Sequence, residues 1–266
     1  LHAFIVILLY LAAAAAAVHA VRSESARAAV ALPATYLAVA AIAAHAAWLL
    51  SVLWPLGNDS LSIADSASFM GLVIGLGGAL ALFAPRFRGI AAVVLGIAGL
   101  LAAGTGSLPE RQAVTGAGWP FAVHVVLAMG SAGMFAVAAV FVVLLMLQDA
   151  QLRRAQPARW LAALPPVESL EHALFTVLAT GMASLTVAIL AGLLFVTNLF
   201  QQHLAHKVIL ALTAWLVFAV LLIGHWRYGW RGRKARRYTL AGFALLAIAY
   251  FGSKFVLEFV LGRHWG

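Results

Sequence analysis

Apolar runs of membrane-crossing length follow one another along nearly the whole chain, at residues 3–20, 29–53, 67–84, 90–106, 119–147, 170–199, 208–226 and 238–261. A water-soluble fold of 266 residues could not bury them, because 65% of the residues are hydrophobic, 9% are charged and the mean hydropathy is +1.03. In lipid the backbone has to satisfy its own hydrogen bonds, which leaves helices or closed barrels. Barrel strands alternate in polarity over about ten residues. These runs are instead continuous over about twenty, the length a helix needs to span hydrocarbon. The sequence therefore predicts an all-α polytopic membrane bundle of about eight transmembrane helices. We read it as a single membrane domain, 1–266, with spans one to four in 1–118 and spans five to eight in 119–266.

The connections carry the charge. Alternating them between two faces places thirteen basic residues on one side, from Arg22 and Arg27 to the block Arg227–Arg237, and Arg111, Lys207 and Arg263 on the other. The positive-inside rule then puts both termini on the outer, periplasmic face of a bacterial cytoplasmic membrane. A net charge of +9 distributed this way is a topology signal, and nucleic acid is not expected as a partner. The first run lacks a preceding positive residue and is followed by Arg22 and Arg27, so it is expected to be a span and not a signal peptide. Ser169, after Pro165 and Pro166, is expected to cap the sixth helix, with Glu168 and Glu171 in its first turn. The spacings Gly71–Gly75 and Gly130–Gly133 offer small faces for close helix packing.

Nine histidines in so apolar a chain call for a chemical reason, since ionisable or ligating groups at membrane depth are costly. His124 lies near the outer surface and His45 somewhat deeper, while His203, His206 and His264 fall in an outer connection or the tail. On the inner side His19 precedes Arg22 by three residues and His225 precedes Arg227 by two, which gives them similar depth, and His172 opens the sixth span. With no cysteine and few outer acids, a zinc site is poorly supplied. Axial imidazoles on a planar macrocycle suit sparse, separated histidines better. The absence of cysteine also excludes thioether attachment, so such a macrocycle would be held non-covalently, as haem b is. No nucleophile elbow, phosphate loop or metalloprotease helix is present, and no enzyme activity is expected.

Three segments carry a family resemblance. WPFAVHVVLAMGSAGMF (Trp119–Phe135), LPPVESLEHALFTVLATGMASLTVAILAG (Leu164–Gly192) and LTAWLVFAVLLIGHWRYGWRGRKAR (Leu212–Arg236), followed by AYFG (Ala249–Gly252), resemble successive spans of the cytochrome c assembly family. The likeness is to its CcsA-type haem-handling members, and most closely to the eight-span HemX/YpjD-like branch. It implies His124 and His264 as a pair of outer haem ligands and His225 as an intramembrane ligand. His19 is added to these by its depth. Where the family has a tryptophan-rich outer segment this chain has VTNLFQQHLAHKV, so His203 and His206 are alternates there, as are His45 and His172 elsewhere. The function implied is handling or relay of haem across the membrane or at its outer face, accessory to cytochrome c assembly. The expected partners are haem, membrane lipid, and cytochrome c maturation or haem-pathway proteins. The alternatives are a non-enzymatic HemX-like regulator or stabiliser of a partner protein, and a transporter of another substrate.

Overall fold

The computed structural model describes residues 2–22, 27–53, 63–103, 119–154, 164–195 and 205–252. They form eight α-helices: α1 (His2–Arg22), α2 (Arg27–Leu53), α3 (Ile63–Phe83), α4 (Arg88–Ala102), α5 (Trp119–Leu152), α6 (Val167–Phe195), α7 (Ala205–Tyr228) and α8 (Gly232–Ala247). A 3-10 turn at Pro85–Phe87 leads into α4, and a π-helical turn at Ile248–Gly252 continues α8. There is no strand among the described residues. Seven of the helices are long and apolar enough to cross a bilayer. The chain is thus an all-helical multi-pass membrane protein, and the rest of the expected eighth span lies outside the described residues.

Two boundaries differ from expectation for physical reasons. The last helix starts at Gly232, six residues before the apolar run, because Ala235, Thr239, Gly242 and Leu246 form a buried seam at helical spacing while the cations occupy the other side. The sixth helix starts at Val167, so Ser169 is already inside it and does not cap it. The carbonyl of Pro166 accepts the first helical bond, from Leu170 N–H at 3.1 Å. Proline, with its fixed φ and no N–H to satisfy, suits the entry to a helix. Gln148, in the turn of α5 beyond the apolar run, donates through Nε2 to the Pro165 carbonyl at 2.9 Å and ties this entry to α5.

The contacts divide the chain into two compact units. The first holds α1 to α4, the C-terminal part of α5 and the opening of α6. Here α1 packs on α2 and α4 through small residues: Ala13, Ala17 and Ala20 are buried on α1, and Ala34, Ala38 and Ala41 on α2. In lipid, helices gain little from hiding apolar surface, and close backbone approach supplies the contact energy instead. Gly71 and Gly75 of α3 serve this approach. A Cβ at Gly71 would lie 2.9 Å from Leu101 Cβ of α4, and one at Gly75 would lie 2.5 Å from the Tyr10 hydroxyl of α1. Tyr10 also covers Gly99 of α4, where a Cβ would stand 3.0 Å from its own Cβ. Large apolar residues turn outward, Leu80 at 70% and Leu100 at 74% exposure, as helices surrounded by acyl chains require.

The second unit holds the rest of α5 and α6 with α7 and α8. Its centre is Phe135 of α5 stacked on Phe218 of α7, with ring centroids 3.8 Å apart and planes 3° apart. Glycines flank the stack. A Cβ at Gly181 of α6 would meet Phe135 Cε1 at 3.2 Å, and one at Gly242 of α8 would meet Phe218 Cζ at 2.7 Å. Bonds from side chain to main chain tie the helices further: Ser184 Oγ donates to the Leu127 carbonyl at 2.9 Å, and Tyr250, in the π turn, donates to the Ala128 carbonyl at 3.4 Å. The Trp215 indole N–H donates to Thr186 Oγ1 at 3.0 Å.

Gly75→Ala is expected to lower the thermal stability of the detergent-solubilised protein, at an overpacking cost of about 1–3 kcal/mol. The cost should be smaller in a Tyr10→Phe background, because the hydroxyl is the atom the new methyl meets first. Thermal melts of the four proteins of this cycle, followed by helical circular dichroism, give the comparison.

Candidate functional site

Each histidine is defined chemically by what its two ring nitrogens are doing. His124, in the second turn of α5, is half-buried and donates from Nδ1 to the Ala188 carbonyl of α6 at 2.7 Å. A carbonyl can only accept, so Nδ1 carries a proton, and in the tautomer this selects the lone pair is on Nε2. The ring lies over Gly192, one turn beyond Ala188, where a Cβ would come within 2.9 Å of Cε1 and 3.1 Å of Nδ1. Gly192 is what lets the imidazole lie against the backbone of α6.

His225, in the last turn of α7, is held the same way by a different device. Its Nδ1 donates to the Trp230 carbonyl at 2.9 Å, and its ring stacks on Phe175 of α6 with centroids 3.4 Å apart and planes 11° apart. The acceptor is in place because the chain reverses. Gly229 takes φ +66, a left-handed conformation natural to glycine, and its N–H bonds the His225 carbonyl at 3.0 Å to end the helix. The next N–H, that of Trp230, reaches the Gly224 carbonyl at 3.1 Å. Its indole folds down on Gly224, where a Cβ would lie 2.5 Å from Cδ2. Lys234 sits over the Trp230 ring at 4.8 Å, and Tyr238 packs beside it at 5.4 Å.

His45 of α2 is different. It is fully buried in the first unit, with Nδ1 3.2 Å from the Tyr10 hydroxyl and Nε2 2.7 Å from Ser68 Oγ. Both nitrogens are engaged, so no donor remains for iron in this arrangement. Trp48 lies one turn along, its ring centroid 6.5 Å from that of His45.

The other candidates are dispersed. His19 is exposed near the end of α1 in the first unit, and His172 is exposed in the first turns of α6. His225 belongs to the second unit. His203 and His264 lie outside the described residues, as does the side chain of His206 in the first turn of α7. Among the described residues no three His, Asp or Glu side chains gather where a metal ion could be held. A haem would have to be met by single imidazoles. His124 and His225 have the form that such a ligand needs, with Nε2 available and Nδ1–H anchored to a carbonyl that fixes tautomer and orientation. The anchors Ala188 and Gly192, and Phe175 and Trp230, escaped the sequence reading. The glycine of YGWRG, just after His225, was the available signal for the reversal.

A helical multi-pass membrane protein with such oriented imidazoles is of a kind suited to holding a flat metallo-macrocycle. The family follows from comparison with known sequences. The family model described as cytochrome C assembly protein matches residues 1–261, and the chain belongs to that family. Inner membrane protein YpjD of Escherichia coli K12 is 35% identical over 138 residues, which is 52% of this chain and 52% of that protein. Cytochrome c biogenesis protein CcsA of Microcystis aeruginosa is 31% identical over 87 residues, 32% of this chain and 26% of that protein. The CcsA protein of Gloeothece citriformis is 29% identical over 98 residues, 36% of this chain and 30% of that protein. The chain spans about half the length of the YpjD protein it matches. No solved structure matches it. Family, helices and relatives together make it a multi-pass protein of the bacterial inner membrane.

Nitrogen-15 spectra of histidine-labelled protein should include Nδ1-protonated signals from His124 and His225. Gly192→Ala is expected to remove one of them, by forcing His124 off the Ala188 carbonyl, and to leave the His225 signal in place.

Proposed function

We propose that this protein binds non-covalent haem b and handles or relays it at the outer face of the membrane, as an accessory to cytochrome c assembly and without enzymatic activity of its own. The observation that carries this reading is the arrangement at His124 and His225, where a main-chain carbonyl holds Nδ1–H and leaves Nε2 for iron. Membership of the cytochrome C assembly protein family supports it, as do relatives named for cytochrome c biogenesis. Bound haem would supply a redox-active iron, and His124 and His225 are the residues that would hold it through Nε2.

The residues have distinct parts to play. His124 is the anchored ligand of an outer site, with His264 as its exchangeable partner and His203 or His206 as substitutes. His225 is the ligand of an inner site. Gly192 and Ala188 position the first imidazole, and Phe175 and Trp230 the second. One rigid ligand paired with one that can let go would allow haem to be held and then handed on.

The visible spectrum of purified protein reconstituted with haem tests this. A Soret band with sharp alpha and beta bands on reduction is expected, and a folded but colourless preparation would defeat the reading in favour of a haem-free regulator or a transporter. His225→Ala should remove one spectral component. His124→Ala should remove the outer one, with recovery on adding imidazole, and full retention of haem in both variants would exclude them as ligands.

The orientation is part of the proposal. A reporter inserted among Arg231–Arg237 should read as cytoplasmic and one fused after His264 as periplasmic, and the same reading from both would overturn the topology.

A further inference from the structure

The reversal between α7 and α8 carries a concentration of charge that the haem reading does not use. Five exposed cations, Arg227, Arg231, Arg233, Lys234 and Arg237, fall within eleven positions, and the sequence has no acid between Glu171 and Glu258. They stand where the apolar span Lys207–Tyr228 ends. The span ends on two exposed aromatics, Trp226 at 69% and Tyr228 at 72% exposure, residues that partition to the headgroup level of a bilayer. A topology signal needs only positive charge in a connection. This segment has more, because its cations are fixed to a built surface. Lys234 is held over the Trp230 ring, whose indole is itself wedged on Gly224, and α8 packs against α7 through its buried seam. Arg233 and Arg237, one turn apart on α8, both point away from that seam.

The geometry points to this reversal as a binding site for the headgroups of anionic phospholipids. Guanidinium groups pair with phosphate oxygens in a two-point geometry, and a cation near a negatively charged leaflet gains attraction that zwitterionic headgroups do not provide. Trp226 and Tyr228 supply the apolar contact at the level of the upper acyl chain, and the cations meet the headgroup above it. A soluble anion would use the guanidinium groups but have no need of the exposed aromatics beside them, so the lipid accounts for both. Trp230 belongs to both regions: its ring underlies Lys234 and its carbonyl receives the His225 Nδ1 proton. A lipid held here would therefore stiffen the support of His225.

The full chain, reconstituted in vesicles of phosphatidylcholine and phosphatidylglycerol, reports on this through quenching of tryptophan fluorescence when one lipid or the other carries brominated chains. Brominated phosphatidylglycerol is expected to quench more than brominated phosphatidylcholine at equal mole fraction, and high salt should reduce the difference. The double variant Arg233→Gln, Arg237→Gln should lower the preference by about fivefold per cation removed. Both residues are exposed, and an unchanged helical spectrum will show that the fold is kept. Trp226→Phe should remove a disproportionate share of the selective quenching, which locates the site. Equal quenching by the two lipids in the unaltered protein would overturn the proposal and leave an acidic protein segment as the occupant. A preference that survives the double variant would overturn it as well.

Discussion

An aromatic ring resting on a glycine is the contact on which the rest of this bundle depends. Lipid offers helices little reward for hiding apolar surface, so association rests on van der Waals contact and on the few polar groups that find partners. A ring against bare backbone gives a large contact area at a short interhelical distance. The Tyr10 ring occupies the face of Gly75 in the first unit, and the Phe135–Phe218 stack lies between Gly181 and Gly242 in the second. The same device recurs at both candidate ligands, with His124 on Gly192 and the Trp230 indole on Gly224. This packing serves both fold and site, and a methyl group at any of these glycines would disturb a specific ring.

Three buried or half-buried histidines show how little residue type alone says about role. His45 is the deepest of them and is spent on structure: Tyr10 and Ser68 take both nitrogens, joining α1, α2 and α3 through one imidazole. His124 and His225 each give one nitrogen to a carbonyl and keep the other. Burial would have ranked His45 first as a site. Hydrogen-bond partners reverse that order.

The spans were legible because a helix in lipid announces itself by length and continuity, and the basic connections were legible because cations are rare here. The resemblance singled out His124, His264 and His225, and spacing placed the first and last of these near span ends. Legibility stopped where a feature depends on two distant segments. Nothing in the apolar run of α6 says that Ala188 will offer its carbonyl to His124, sixty-four residues earlier in the chain. Phe175 reads as one more lipid-facing aromatic until α7 brings His225 onto its face. Ser169 looked like a cap because its neighbours suit a first turn, but the prolines before it had already set the helix entry. The helix α8 was misplaced by six residues because its cations suggested a loop, while its buried seam of Ala235, Thr239 and Gly242 is too slight to register as an apolar run.

The acceptors at Ala188 and Trp230 belong to the main chain, and that alters what heredity can do to them. No codon specifies a carbonyl, so replacing the side chain at 188 leaves the acceptor standing, and a scan that truncates side chains one by one would pass over it. The genetic sensitivity is displaced onto neighbours that shape the backbone: Gly192, which makes room for one ring, and Gly229, whose left-handed turn carries the other carbonyl into reach. Lineages that drift freely at position 188 while holding these two glycines would be preserving the orientation of both imidazoles.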